Sequence, residues 1–309
     1  MSTPLGFETR GTCPACSAPG GAVLTDLPFD AEPLAGYLRS FYAGRLDPAR
    51  LASARYVLVD CPACRLVYQR EVLDAPSLVE LYSSFVVSSL ADAQSSRGLD
   101  VRRQYSFQVE QVLKYFDRPP PDVEVLDFGG GWGLWLDMAA GYGCTTAVAE
   151  LARDKAQTTS ASGHRLFELD ELPSARFDFV NAEQVFEHLT DPAGVLAGLS
   201  AALRPGGLLR LSVPNGANIR TLLDAPDWQA PKGSERSLNA VAPLEHVNCF
   251  SHESLSGLVL RTGEFDAFRF PTRQFLDPLE RVRFVVSGLM HAIRTPDGTL
   301  LFFRKRGGR

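Results

Sequence analysis

The sequence predicts an α/β protein with a mostly parallel sheet, preceded by a small module of a different kind. Three observations predict it. Between residues 123 and 213, short apolar runs alternate with helical patterns. The first of these runs feeds a glycine-rich turn, Gly129-Gly130-Gly131-Trp132-Gly133. Ahead of them one tetrapeptide occurs twice, as Cys13-Pro14-Ala15-Cys16 and Cys61-Pro62-Ala63-Cys64. Composition sets the outer limits. With 45% apolar and 22% charged residues over 309 positions, the chain is neither disordered nor collagen-like. Its net charge of −5 argues against bulk binding of nucleic acid, so no such partner is expected. The first residues lack a basic segment followed by an apolar core, and no run approaches the roughly 18 apolar residues of a membrane span. A cytoplasmic, reducing location without a membrane partner is therefore expected.

Residues 1–75 form the module bracketed by the cysteine pairs. Within it, 32–43 reads as a helix, 56–59 as a strand entering the second pair, and 66–68 as a strand leaving it. Residues 76–121 read as a helical connector. Pro76 opens a helix through Tyr82, because proline suits the first helical turn. The serine-rich stretch 83–97 is a loop or a lid, and 101–116 repeats apolar residues at helical spacing. Pro119-Pro120-Pro121 ends that helix, and residues 122–309 form the main domain.

In the main domain, strands are expected at 123–128, 145–149, 165–167, 177–181 and 208–213. Helices are expected at 134–140, 152–160, 183–188 and 191–203. Such alternation makes βαβ crossovers and a parallel sheet covered on both faces. Arg204-Pro205-Gly206-Gly207 reads as a turn before the fifth strand. Residues 215–244 show no clear periodicity. Ser251 caps a helix to about Arg261, and 265–270 and 300–304 are two late strands with a partly helical 275–293 between them.

The glycine-rich turn does not match the dinucleotide fingerprint Gly-x-Gly-x-x-Gly in either register, which disfavours an oxidoreductase. It fits Asp-x-Gly-x-Gly-x-Gly, with Asp127, Gly129, Gly131 and Gly133. Glycine lets a ligand lie against bare backbone beside helix N–H groups. Glu150, ending the second strand, is placed to accept both hydroxyls of a ribose. The plainer alternatives are that Asp127 braces the turn and Glu150 caps a helix.

These residues carry a family resemblance. The stretch from Val125 to Gly133, the Glu150 position, the run from Phe177 to Leu189, and Leu203-Arg204-Pro205-Gly206-Gly207 occur in the order found in class I S-adenosylmethionine-dependent methyltransferases, which this chain resembles. The resemblance implies a Rossmann-like seven-stranded mostly parallel sheet flanked by helices. It implies S-adenosylmethionine as cofactor, held by Asp127, Phe128, Gly129, Gly131, Gly133 and Glu150. The adenine-binding acid of similar enzymes has only Asp170 as a counterpart in a compressed segment.

Two Cys-x-x-Cys turns offer four thiolates, enough to close a tetrahedral structural zinc site on Cys13, Cys16, Cys61 and Cys64. The alternatives are two disulfides or a redox pair. A reducing compartment disfavours the first, and the second lacks a βαβ context. A four-cysteine module ahead of such a domain resembles a bacterial group that includes sugar C-methyltransferases, where the module is thought to help cover the substrate pocket. The separation of the pairs is long for that group. Cys144 and Cys249 read as core residues.

Glu183, Glu187 and His188 are expected on one helix, with Glu183 and Glu187 four apart on a shared face. Glu183 and His188 are candidate general bases, and His188 equally a scaffold residue. A similar Glu-x-x-x-Glu-His run in quinone O-methyltransferases is associated with a divalent metal. His246, in a segment also common to this group, is a third candidate base or a loop-fastening residue. Tyr82, Tyr105, Arg102 and Arg103 are candidate pocket residues. The expected function is methyl transfer to a small molecule: a sugar nucleotide, a glycan precursor or a natural-product intermediate. The alternative is a non-catalytic zinc-containing module that binds RNA or a protein.

Overall fold

The computed structural model describes residues 3–86, 98–150, 152–270 and 298–307, with the backbone alone at 153 and 154. The expected helix at 275–293 and most of the serine-rich stretch lie outside these residues. Thirteen strands are described. They are β1 (Phe7–Thr9), β2 (Ala22–Pro28), β3 (Arg55–Asp60), β4 (Val67–Gln69), β5 (Glu71–Leu73), β6 (Glu124–Phe128), β7 (Thr145–Ala149), β8 (Arg165–Leu166), β9 (Phe177–Glu183), β10 (Leu203–Pro214), β11 (Asn248–Cys249), β12 (Phe265–Phe268) and β13 (Gly298–Lys305). The chain divides into two compact units, neither continuous in sequence.

The first unit gathers residues 1–88, 186–194 and 213–261. Its main sheet is antiparallel in the order β11-β4-β3-β2, and β1 pairs with β5 separately. The strand β2 escaped the sequence reading because it is an edge strand with Thr, Asp and Pro among its residues and shows no continuous apolar run. β3 is buried from Tyr56 to Asp60. Tyr56 is the hub of the core. Its ring lies edge-on to Trp228 at 5.6 Å, and its hydroxyl donates to the carbonyl of Val241. The helix Ala75–Glu80 starts as expected, with the Asp74 carboxylate accepting the Ser77 N–H at 2.9 Å. A reciprocal cap between Ser251 and Ser254 starts the helix His252–Leu260. The compact unit thus reaches well beyond residue 75, because late segments pair with early strands.

The second unit gathers residues 89–185, 195–212 and 262–309. Its seven-stranded sheet runs β12-β13-β10-β9-β6-β7-β8. The five strands from β10 to β8 are parallel, and β12 and β13 are antiparallel to each other, which is the expected α/β architecture. The core packs Val125, Leu136, Val148, Leu208 and Phe179 with Trp135, which stacks on Phe179 at 5.6 Å. The Trp135 indole donates to Gln108 of the helix Leu99–Phe116 at 3.0 Å, so its one polar atom is paired. Residues 204–207 prove to be a bulge inside β10 rather than a turn before it.

The expected helix at 183–188 is not formed. β9 continues to Glu183, and the Gln184 N–H donates to the Ser212 carbonyl at 2.7 Å, which keeps the chain extended alongside β10. Gln184 then takes a left-handed φ of 56°, and one 3-10 turn follows, Phe186–His188. Glu183 and Glu187 therefore share no helix face. Among the described residues no helix is long and apolar enough to cross a membrane. Phe179, fully buried, sets the expected scale of core energetics. Phe179→Ala should lower stability in urea denaturation by about 3–5 kcal/mol, against about 0.5 kcal/mol or less for Val79→Ala at a 70% exposed site.

Candidate active site

In the second unit the candidate residues collect at the carboxyl ends of adjacent parallel strands. Asp127 and Phe128 end β6, and Glu150 directly follows β7. Gly129 has a φ of 69°, and a Cβ there would sit 2.5 Å from Val185, so only glycine fits. Gly131 turns open backbone outward, with no atom within 4 Å of where a Cβ would stand. Its N–H donates to Glu150 at 2.9 Å. The other Glu150 oxygen accepts the Ala152 N–H at 2.9 Å. Glu150 thus braces the turn and the next helix, and each oxygen keeps a second lone pair for a further donor. Gly133 is the N-cap of the helix Leu134–Gly141.

Asp127 is buried and accepts from the Asn181 amide at 2.7 Å. Burial raises its carboxyl to about 7, opposed by the Asn181 hydrogen bond. Arg210 completes the array, donating to the Asn181 oxygen at 2.6 Å and to Glu183 at 2.9 Å. Glu183 is therefore engaged by a guanidinium at the end of β9. The sequence reading missed Asn181 and Arg210. Their signal was visible, because a charged residue in Leu208-Leu209-Arg210-Leu211 is out of place in a strand buried on both faces.

In the first unit the two Cys-Pro-Ala-Cys turns fold alike. The Ser17 N–H donates to the Cys13 carbonyl at 2.8 Å, and the Arg65 N–H to the Cys61 carbonyl at 2.9 Å. Cys13 and Cys61 donate to Ala18 and Leu66, each at 2.9 Å. The sulfurs of Cys13 and Cys64 are 3.5 Å apart and those of Cys16 and Cys61 3.6 Å, with all four within 4.8 Å. Tetrahedral bonds of about 2.3 Å place sulfurs about 3.8 Å apart, so the frame fits zinc. Cys144 and Cys249 are buried in separate cores, as expected.

The first unit also brings together His188, His246 and Tyr82. The rings of His188 and His246 lie nearly perpendicular at 4.9 Å. His188 Nδ1 donates to the Glu245 carbonyl at 2.9 Å and meets the Tyr82 hydroxyl at 3.0 Å. A carbonyl only accepts, so this nitrogen carries a proton. His246 Nδ1 likewise donates to the Asn239 carbonyl. Burial, then the charge of His188, pushes His246 down to about 3. The Glu187 carboxylate and both imidazoles offer ligand atoms within 4.8 Å of one another. Tyr105 is instead a core residue of the second unit, while Arg102 and Arg103 lie on the same helix, Leu99–Phe116.

Asn248 fixes this arrangement. Fully buried on β11, it donates to the carbonyls of Phe186 at 3.0 Å and Leu189 at 2.6 Å, spanning the turn that carries His188. Its own oxygen accepts from Arg10 at 2.9 Å. Arg10 also donates to Gln69 and Val247 and lies over the Tyr68 ring at 5.2 Å.

A parallel sheet with a glycine turn and a carboxylate on neighbouring strand ends defines a nucleotide-cofactor class of protein. Residues 99–263, more than half of the chain, match the family model for the Methyltransferase domain, and the chain belongs to that family. It is 35% identical over 172 residues to the ubiquinone biosynthesis O-methyltransferase of Methylocella silvestris, covering 48% of this chain and 65% of that one. It is 30% identical over 148 residues to the malonyl-[acyl-carrier protein] O-methyltransferase of Serratia marcescens, covering 45% and 57%. The chain spans less than two thirds of the length of either relative. A solved S-adenosylmethionine dependent methyltransferase from Mesorhizobium loti matches 64% of this chain and 95% of its own at 16% identity, with a TM-score of 0.42. Asn248→Ala is expected to lower stability by about 3 kcal/mol, because two carbonyls and a guanidinium lose a buried partner. Urea denaturation measures it, and a loss below about 0.5 kcal/mol would show that water replaces the amide.

Proposed function

We propose that the protein catalyses methyl transfer from S-adenosylmethionine to a small-molecule acceptor. The observation that carries this reading is the placing of Asp127, the open Gly131 backbone and Glu150 on adjoining strand ends in a chain of the Methyltransferase domain family. Bound S-adenosylmethionine supplies a sulfonium methyl already activated for in-line displacement. Asp127 receives its ammonium and Glu150 its ribose hydroxyls, with Phe128, Gly129, Gly131 and Gly133 shaping the backbone cradle. We propose His188, whose side chain is 25% exposed and whose Nδ1 is held at the Glu245 carbonyl, as the candidate general base. His246 and Tyr82 orient it, and Glu183 serves as the acceptor for Arg210. The relatives' names, concerned with ubiquinone and malonyl-carrier substrates, support a small or carrier-borne acceptor. Sugar nucleotides, glycan precursors and natural-product intermediates are the classes we favour. The net charge of −5 supports a non-nucleic-acid substrate, and cysteines used as metal ligands or core residues suit the cytoplasm.

We further propose that Cys13, Cys16, Cys61 and Cys64 hold a structural zinc ion. A second reading of the histidine site rests on the converging Glu187, His188 and His246, a donor set suited to a divalent metal. Here His246 takes the place that sequence spacing gave to Glu183. Elemental analysis distinguishes the readings, with about one zinc per chain for the thiolates alone and about two metal ions for both sites. Thiols without metal would remove the zinc proposal.

Titration calorimetry tests the cofactor. Asp127→Ala is expected to weaken S-adenosylmethionine binding about tenfold to a hundredfold, the worth of a charged hydrogen bond. The affinity should also follow pH. Asp127 attracts the ligand's positive charge when ionised, and its carboxyl is raised to about 7. On the acid side affinity thus falls as pH drops through that value, toward about tenfold per pH unit, while loss of the ligand's own ammonium proton limits it above about pH 8. Affinity that does not fall between about pH 7.5 and about pH 5.5, the acid side of the titration, would separate Asp127 from the ligand's charge.

A further inference from the structure

We propose that Arg210 is a positioning residue for the cofactor carboxylate Asp127, acting through the side-chain amide of Asn181 and tied off by Glu183. This rests on the cofactor reading above. The strand register builds the array. Asp127 pairs with Asn181, and Asn181 with Arg210, so the three occupy one row across β6, β9 and β10. Paired residues of neighbouring strands project to the same face of a sheet. Glu183, two residues beyond Asn181, falls on that face as well.

The row has a direction. Asn181 has one donating and one accepting end, and Arg210 has only donors. With the guanidinium 2.6 Å from the Asn181 oxygen, the amide nitrogen must point the other way, to Asp127 at 2.7 Å. The opposite rotamer would set two donor groups against each other. Arg210 therefore selects the orientation of Asn181 that favours a charged Asp127. All three are buried, with Arg210 and Asn181 each 1% exposed. A guanidinium so desolvated is a poor way to stabilise a strand, and its Nε has no hydrogen-bond partner among the described residues. Its matched contacts are the two acceptors that lead to Asp127 and Glu183. The charges facing Asp127 are Arg210 on β10, Glu183 at the end of β9 and Glu150 after β7. Arg210 alone of these favours the ionised carboxylate.

The test is S-adenosylmethionine titration calorimetry across the pH range, on the full chain with its metal, for wild type, Arg210→Met, Arg210→Lys and Glu183→Gln. In Arg210→Met the amide loses its orienting partner and Asp127 its favourable charge. Relative to wild type at the same pH, binding near neutrality should fall about fivefold and the gap should close as pH rises, with the acid midpoint raised by about one unit. Arg210→Lys keeps the charge but moves it off the guanidinium nitrogen that serves both Asn181 and Glu183, and should shift the midpoint less. Glu183→Gln removes a negative charge while keeping an acceptor for Arg210, so its midpoint should move down. These opposed signs keep the test decisive even if Arg210→Met fails to fold. A loss of affinity equal at every pH, or unshifted midpoints in the Lys and Gln variants, would overturn the relay. Absence of binding by the wild-type chain overturns the cofactor reading itself, and is told apart because no variant is needed to see it.

Discussion

The amide of Asn248 joins three stretches that are distant along the chain. Its nitrogen spans the turn from Phe186 to Leu189, and its oxygen receives Arg10. Arg10 in turn closes on the carbonyls of Gln69 and Val247. Without this junction the carbonyls of Phe186 and Leu189 would lose the Asn248 amide, at a cost of about 1–3 kcal/mol each if left unpaired. With it, β11 is added to β4, directly after the second cysteine turn. The four-cysteine frame and the two histidines thereby belong to one sheet-based unit.

The same demand for partners organises the parallel sheet. A row of Asp127, Asn181 and Arg210 crosses the buried middle of three strands, and each member answers its neighbour. Such a row carries a high penalty if any member is lost, because a low-dielectric interior strengthens both the contacts and the consequence of missing one. That a sheet centre carries it at all sets this region apart from a core built for stability, where Val, Leu and Phe at those positions would suffice.

Much of this was legible in the sequence. The alternating runs from 123 to 213 carry a period that only a covered parallel sheet satisfies, and β6, β7 and β9 stand within two residues of where that pattern puts them. The glycines announced the turn, and the cysteine spacing announced the paired knuckles. Two things were not legible. The helix expected from Glu183 to His188 followed from the strand–helix alternation, but tertiary pairing of Gln184 with Ser212 overrides that local preference. The second was spatial company. No spacing rule brings His246 to His188 or Asn248 to Arg10, since contacts between residues 58 or more apart are set by topology alone. Polar residues inside buried strands were the one clue, because interiors admit them only with a partner in place.

The interrupted path of the first unit has a consequence for the order in which the chain is made. Its early strands leave the ribosome first, yet the residue that locks them, Asn248, emerges only after β6 to β10 have all been synthesised. The parallel strands of the second unit can begin pairing while the N-terminal sheet still lacks its last strand. The four thiols have no such delay, since both cysteine turns lie within the first 64 residues. A metal ion captured there early would tie the turn between β3 and β4 to the turn after β1 through the long wait for β11.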